Sequence, residues 1–125
     1  MYKSFKEMPA WQEAMEIAVE IYYLTEKLPR EEDYSLTSQI RRAAVSISAN
    51  IAEAFGRQHS KDKINFYYFS RGSVMETMSH LEYSYRVKYF SDKEVSDINK
   101  KLEVLNNNLN KIIKSLRNST RSNEK

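Results

Sequence analysis

From Val95 to Leu116 the apolar residues fall three and four positions apart without a break: Val95, Ile98, Leu102, Leu105, Leu109, Ile112 and Leu116. That alternation draws one narrow apolar seam along an α-helix, and a seam of this kind packs at a shallow angle against partner helices. Ser91-Asp92-Lys93-Glu94 stands just before it. A serine followed three residues later by glutamate is the reciprocal capping box that starts a helix. Since no helix buries such a seam by itself, the rest of the chain must supply the partners.

Three further segments have helical spacing. The first runs from about Met8 to Leu28, with Pro9 in the first turn, where a missing N–H is harmless. Its apolar positions are Trp11, Ala14, Met15, Ala18, Ile21, Tyr22, Thr25 and Leu28, and Pro29 ends it. After the linker PREEDY, Ser35 is suited to cap a second helix and Gly56 to close it. Ser60 then caps a third, from about Lys61 to Tyr89, which is the richest in aromatic residues. Two glycines and two prolines in 125 residues are too few turn formers for a β protein. The expected fold is all-α: an up-down-up-down antiparallel four-helix bundle forming one domain over residues 1–118. The polar tail 119–125 has no apolar anchor and is expected to fray.

Several function classes fall away. No run of about 18 apolar residues spans a membrane, and MYKSFKEMPAW lacks the apolar centre of a signal peptide. With no cysteine there is no disulfide, thiol nucleophile or thiolate metal site. A soluble, cytoplasmic, bacterial protein is expected. A di-metal bundle core needs two Glu-x-x-His pairs, but the histidines are His59 and His80 alone. Glu76 lies one turn before His80, the spacing of a helix-stabilising pair. His59 falls in a linker, no nucleophile elbow occurs, and the glycine count excludes phosphate-cradling loops. The expectation is a non-enzymatic protein with no catalytic residues, metal, cofactor or small-molecule substrate.

Charge divides along the chain. Residues 1–33 carry four Lys/Arg against eight acids, and residues 34–125 carry sixteen against nine, so the overall +3 joins a −4 segment to a +7 segment. Such asymmetry serves subunit association or attraction to a polyanion. Along the last helix Lys93, Lys100, Asn107, Lys114 and Arg121 recur every seven residues, a cationic stripe opposite the seam. Lysine also stands at such positions for solubility alone. Tyr22, Tyr67 and Tyr85 are read as bundle tyrosines with buried rings and hydroxyls at the rim; Tyr68 and Tyr89 stay open to base stacking.

The stretch SQIRRAAVSISANIAEAFGR (38–57) has no ordinary solvent face. Leu36, Ile40, Ala43, Ile47, Ile51 and Phe55 form a large apolar arc. Val45, Ala49, Ala52 and Gly56 form a second, small-residue side suited to close contact with another helix. Between them runs a polar stripe of Gln39, Arg42, Ser46, Asn50, Glu53 and Arg57. Arg42 near Ser46 and Glu53 near Asn50 can satisfy one another if partly buried, since an isolated buried charge is costly. Arg41, on the far side of Arg42, is expected to face outward.

QIRRAAVSISANIAEAFGR (39–57) closely resembles the signature of the four-helix-bundle family encoded within 23S rRNA intervening sequences, to which the accessory variability determinant of diversity-generating retroelements looks related. WQEAMEIAVEIYYLTEKLPREEDYSLTSQIRRAA (11–44) is similar to the family's first helix, linker and second-helix start. FYYFSRGSVMET (66–77) resembles its third-helix segment, with Gly72, Ser73 and Glu76 at matching positions. Two residues depart from the pattern: Ser48 stands where proline is usual and Ala54 where glycine is usual. Both raise helix propensity, so the second helix is expected to be straighter.

The resemblance implies a bundle that assembles into a ring, a homopentamer, without catalytic activity. It also implies a basic surface that engages RNA, DNA or their hybrid and, in retroelement relatives, a reverse transcriptase. By family position Glu76 is the acid nearest Arg42, and Arg42–Glu76 is the pair expected at the centre of the polar network. Phosphate contacts are expected from Arg41, Arg57, Lys61, Lys63, Arg71, Lys93, Lys100 and Lys114. The alternative is an oligomeric protein-interaction scaffold, whose acidic first helix meets basic surfaces.

Overall fold

The computed structural model describes the backbone of residues 1–124 and the side chains of residues 1–120. Four helices carry the fold: α1 (Pro9–Thr25), α2 (Leu36–Gly56), α3 (Ser60–Arg86) and α4 (Asp92–Glu124). Short 3-10 turns precede α1 (Phe5–Glu7) and interrupt the α1–α2 linker (Arg30–Glu32). Among the described residues there is no strand. Each helix packs on the next and α4 returns to α1, and among the described residues there is no packing across either diagonal. This is the expected up-down-up-down arrangement.

The core shows why. Ile17 and Ile21 of α1, Ile40, Ile47 and Ile51 of α2, Val74 and Leu81 of α3, and Ile98, Leu102, Leu105 and Leu109 of α4 are all fully buried. On α4 the innermost residue of the next turn is Ile113, not Ile112, which sits at the edge with Leu116. From Val95 the buried set therefore advances 18 residues in five steps, the 3.6 period of a straight helix rather than the 3.5 of a supercoiled one. The capping box forms in full. Glu94 N–H donates to Ser91 Oγ at 3.1 Å, and Ser91 N–H donates to Glu94 Oε1 at 2.9 Å. At its other end α4 stays helical to Glu124, through the segment expected to fray.

Other boundaries differ from expectation for local reasons. α1 ends at Thr25, whose hydroxyl turns back onto the carbonyls of Ile21 (2.7 Å) and Tyr22 (2.9 Å). The N–H groups of Glu26 and Leu28 then bond three residues back, tightening the chain before Pro29. Gly56 is the last residue of α2 but has an ordinary negative φ, and extended Arg57 caps the helix. The α2 carbonyls of Ala54 and Phe55 instead accept from Lys63 Nζ at 3.0 and 3.3 Å, a cation at a helix C-terminus. Ser60 lies inside α3, with His59 as the N-cap. α2 runs unbroken through Ser48 and Ala54, both buried.

The end of α3 falls at Arg86 rather than Tyr89. Lys88 takes φ 68°, and the N–H groups of Tyr89 and Phe90 both reach Ser84 O, at 2.8 and 3.2 Å. A left-handed residue after a helix is the place for glycine, because a Cβ there crowds the following carbonyl. Lys88→Gly is therefore expected to stabilise the protein by about 0.5–1 kcal/mol, read as a raised denaturation midpoint.

Carboxylates tie the linker and the helix ends together. Ser35 and Tyr89 hydroxyls donate to Glu32 and hold its carboxyl below the usual range. Lys27 lowers that of Glu94, and Lys93 that of Asp97. Groups lowered on folding contribute stability above their unfolded pKa, about 4 for carboxylates, and lose it as pH falls through the folded values. The melting temperature is expected to fall on acidification through that range, and Glu94→Gln to flatten part of the fall.

Candidate nucleic-acid interface

α2 presents to solvent the face that carries its small residues. Val45 is 54% exposed, Ala49 and Gly56 are exposed, and Ala52 is half-buried. A shallow depression runs over Ala49, Ala52 and Gly56 between Glu53 and Arg57, and a Cβ built on Gly56 would meet nothing within 4 Å. α1 adds exposed Val19, Tyr22 and Tyr23. Tyr67 is buried as expected, but Tyr22 (48%) and Tyr85 (41%) are not. Tyr22 lies at the edge of its helix's apolar arc, and its ring packs beneath the Arg41 guanidinium at 4.3 Å.

The polar stripe of α2 does not close into the expected network within one chain. Arg42 is exposed and enters no ion pair among the described residues. Glu76 is exposed on α3 and faces His80 Nε2 at 3.3 Å, one turn along its own helix. Glu53 pairs with Arg57 at 3.3 Å, and Asn50 Nδ2 donates to Ser46 O at 2.8 Å. Every partner is local to its helix and Arg42–Glu76 does not form; Ser46 and Asn50 are half-buried, while Gln39, Arg42, Glu53 and Arg57 are exposed.

The cations named above fall into distinct environments. Arg41 is not free to face outward: its Nε donates to Thr25 Oγ1 at 2.8 Å and its Nη2 to Tyr22 O at 3.3 Å, closing the end of α1. Lys63 is spent on the end of α2. Lys93 is held by Asp97 at 2.9 Å, which raises its pKa. Lys100 borders an open cleft between α1 and α4, facing Glu13 and Glu16. Lys61, Arg71 and Lys114 remain, together with Arg57, which also lies over the Phe66 ring at 4.6 Å.

Arg71 is part of a cluster that sequence reasoning left incomplete. Its Nη1 donates to Asn110 Oδ1 at 2.9 Å, and its guanidinium lies 5.0 Å from the Tyr68 ring centre. Arg117, from α4, approaches the same ring at 5.4 Å. The spacing of Tyr68 and Arg71 on one helix was a signal; the meeting with Arg117 depends on the register of α3 against α4. Tyr89, the other tyrosine open to stacking, instead donates its hydroxyl to Glu32 at 2.8 Å.

The structural surroundings give the cluster its sign. Residues 54–75 and 104–120, which meet at the α2–α3 end of the bundle, contain Arg57, Lys61, Lys63, Arg71, Lys111, Lys114 and Arg117 against one acid of their own, Asp62, with Glu53 beside Arg57 and Glu13 beside Asn108 at their border. Among the described residues no group of three or more histidine, aspartate or glutamate side chains is placed to hold a metal, and no helix is long and apolar enough to cross a membrane.

The profile of a family described as 23S rRNA-intervening sequence protein matches residues 6–111. A crystal structure of a protein of unknown function from the S23 ribosomal protein family, from Bacteroides thetaiotaomicron, superposes with a TM-score of 0.76 at 30% identity. The superposition covers 84% of this chain and 98% of that one. No curated protein matches.

Proposed function

This chain belongs to the 23S rRNA-intervening sequence protein family, and we propose that within it the protein is a non-enzymatic accessory factor. In this reading it assembles with itself as a ring of five and binds RNA, DNA or their hybrid without reading sequence, in the cytoplasm, with a reverse transcriptase as a further partner. The observation that carries the reading is the concentration of one sign of charge at the α2–α3 end of the bundle. A single +3 subunit holds a polyanion weakly; five copies of the same patch act at high effective concentration. The chain has no base-reading motif, so contacts are to phosphate and affinity follows counterion release. Self-association is supported by the small-residue side of α2, where Ala49, Ala52 and Gly56 leave room for a close neighbour between Glu53 and Arg57.

The test is binding of RNA, DNA and hybrid by protein whose mass in solution is known, across a salt series. Affinity is expected to fall by about 0.9 log units per log unit of salt for each duplex phosphate neutralised. If nothing salt-sensitive binds at about 50 mM salt, where this effect is strong, the scaffold reading replaces this one. The acids along α1 and at its end, Glu13, Glu16, Glu20 and the C-cap Glu26, would then be the surface offered to a basic protein.

A further inference from the structure

Five of the lysines and arginines among the described residues are answered by a carboxylate. Lys27 meets Glu94, Arg57 meets Glu53, Arg86 meets Glu82, Lys93 meets Asp97 and Lys101 meets Glu20. Arg71 and Arg117 are among those that are not, and they differ from the rest in sharing one aromatic ring. Two elements bring them to one tyrosine ring, and neither pairs with an acid among the described residues. Gathering two like charges without a counter-ion is unfavourable in itself, and the ring quadrupole offsets only part of that. Asn110, with its single hydrogen bond, fixes Arg71 but leaves its remaining N–H donors open. Lys114 stands one turn before Arg117, at the next position on that side of α4.

We infer that this corner of α3 and α4 is a discrete binding site for single-stranded nucleic acid, with Tyr68 as its platform and Arg71 and Arg117 as its phosphate clamp. The inference rests on the nucleic-acid reading above and narrows it to one place and one form of ligand. Phosphate contacts alone would suit a duplex equally. The two guanidinium planes, carried on the half-buried Tyr68 ring, also offer flat faces, which only unstacked bases can use. Guanidinium further matches the two-oxygen edge of a phosphodiester, which an ammonium group does not. An acidic peptide would supply charge without a planar partner.

The experiment is fluorescence anisotropy with the full chain, using a labelled oligothymidylate of about twelve nucleotides, within the span of a small single-strand site, and a duplex of the same length. Arg71→Gln with Arg117→Gln is expected to weaken single-strand binding at least about tenfold and to lower the salt slope by about 1.4, two contacts at about 0.7 each. Lys93→Gln with Lys100→Gln removes the same charge elsewhere on α4 and is expected to cost less than about threefold. Tyr68→Leu should weaken the single strand about fivefold or more and leave the duplex unchanged, and Tyr68→Phe should restore binding. Thermal melts establish that each variant folds.

Equal losses from the two double variants would overturn the site while leaving general polyanion binding intact. So would duplex binding as tight as single-strand binding, or capture of polyglutamate with the same dependence on Tyr68. Absence of binding by the unaltered protein would remove both readings together.

Discussion

Enlarging Ser70 to leucine is expected to destabilise the bundle by about 2–4 kcal/mol, because it pushes α2 and α3 apart where a serine side chain reaches the backbone of the other helix. Ser70 is completely buried, and its hydroxyl donates to Ile47 O on α2 at 2.8 Å. Other buried residues of the two helices are small too: Ala43, Ala44 and Ala54 on α2, Thr77 and Ser84 on α3. Room for extra methylenes is therefore lacking, and a leucine must leave its preferred rotamer or displace a helix. Ser70→Ala keeps the space and removes only the hydrogen bond, at an expected cost of about 1 kcal/mol. Urea titrations of both variants separate the two effects. Equal losses would show that the hydroxyl, not the close approach, is what position 70 supplies.

Ala49→Arg is expected to reduce the mass in solution from that of the assembly to that of one chain while leaving the melting temperature of the bundle nearly unchanged. The side chain faces solvent in the lone bundle, so an arginine there meets no neighbour within the chain. Only a second copy laid along Ala49, Ala52 and Gly56 would be displaced. Light scattering at tens of micromolar reads the outcome. An unchanged assembly would place the interface elsewhere, with Tyr22, Tyr23 and Val19 of α1 as the next surface to alter. A monomeric unaltered protein would remove self-association altogether.

What could be read without coordinates was whatever is encoded within one helix. The α4 seam and its capping box depend on residues three and four apart; the box is present with the expected partners, and the seam holds from Val95 to Leu109 before Ile113 takes the place expected for Ile112. The wide apolar arc of α2 was legible for the same reason. Relations between helices were not. Arg42 and Glu76 each found a partner or solvent on their own element, since spacing within α2 and α3 does not carry the register of one against the other. Arg41 was misplaced because its partners lie at the end of α1, on the Tyr22 carbonyl and the Thr25 hydroxyl. Tyr22 and Tyr85 were assigned inward because a tyrosine at the edge of an arc satisfies an apolar pattern whether its ring is covered or not.

The unequal lengths of the helices have a dynamic consequence. α1 has 17 residues, about 26 Å at 1.5 Å each, against 33 and about 50 Å for α4. Asn108 of α4 lies level with Glu13 of α1, through hydrogen bonds of 3.1 and 3.3 Å, so α4 beyond Ile113 runs past the start of its neighbour. There the buried set gives way to half-covered Leu116, and fewer buried contacts hold each turn. Segments with few buried contacts open locally at lower free energy than the centre of a fold. Lys114 and Arg117 ride on that segment. A polyanion that bridges them to Arg71 would therefore do mechanical work as well as neutralise charge: it would clamp the free end of α4 onto α3, and the slowing of amide exchange there would measure how tightly it is held.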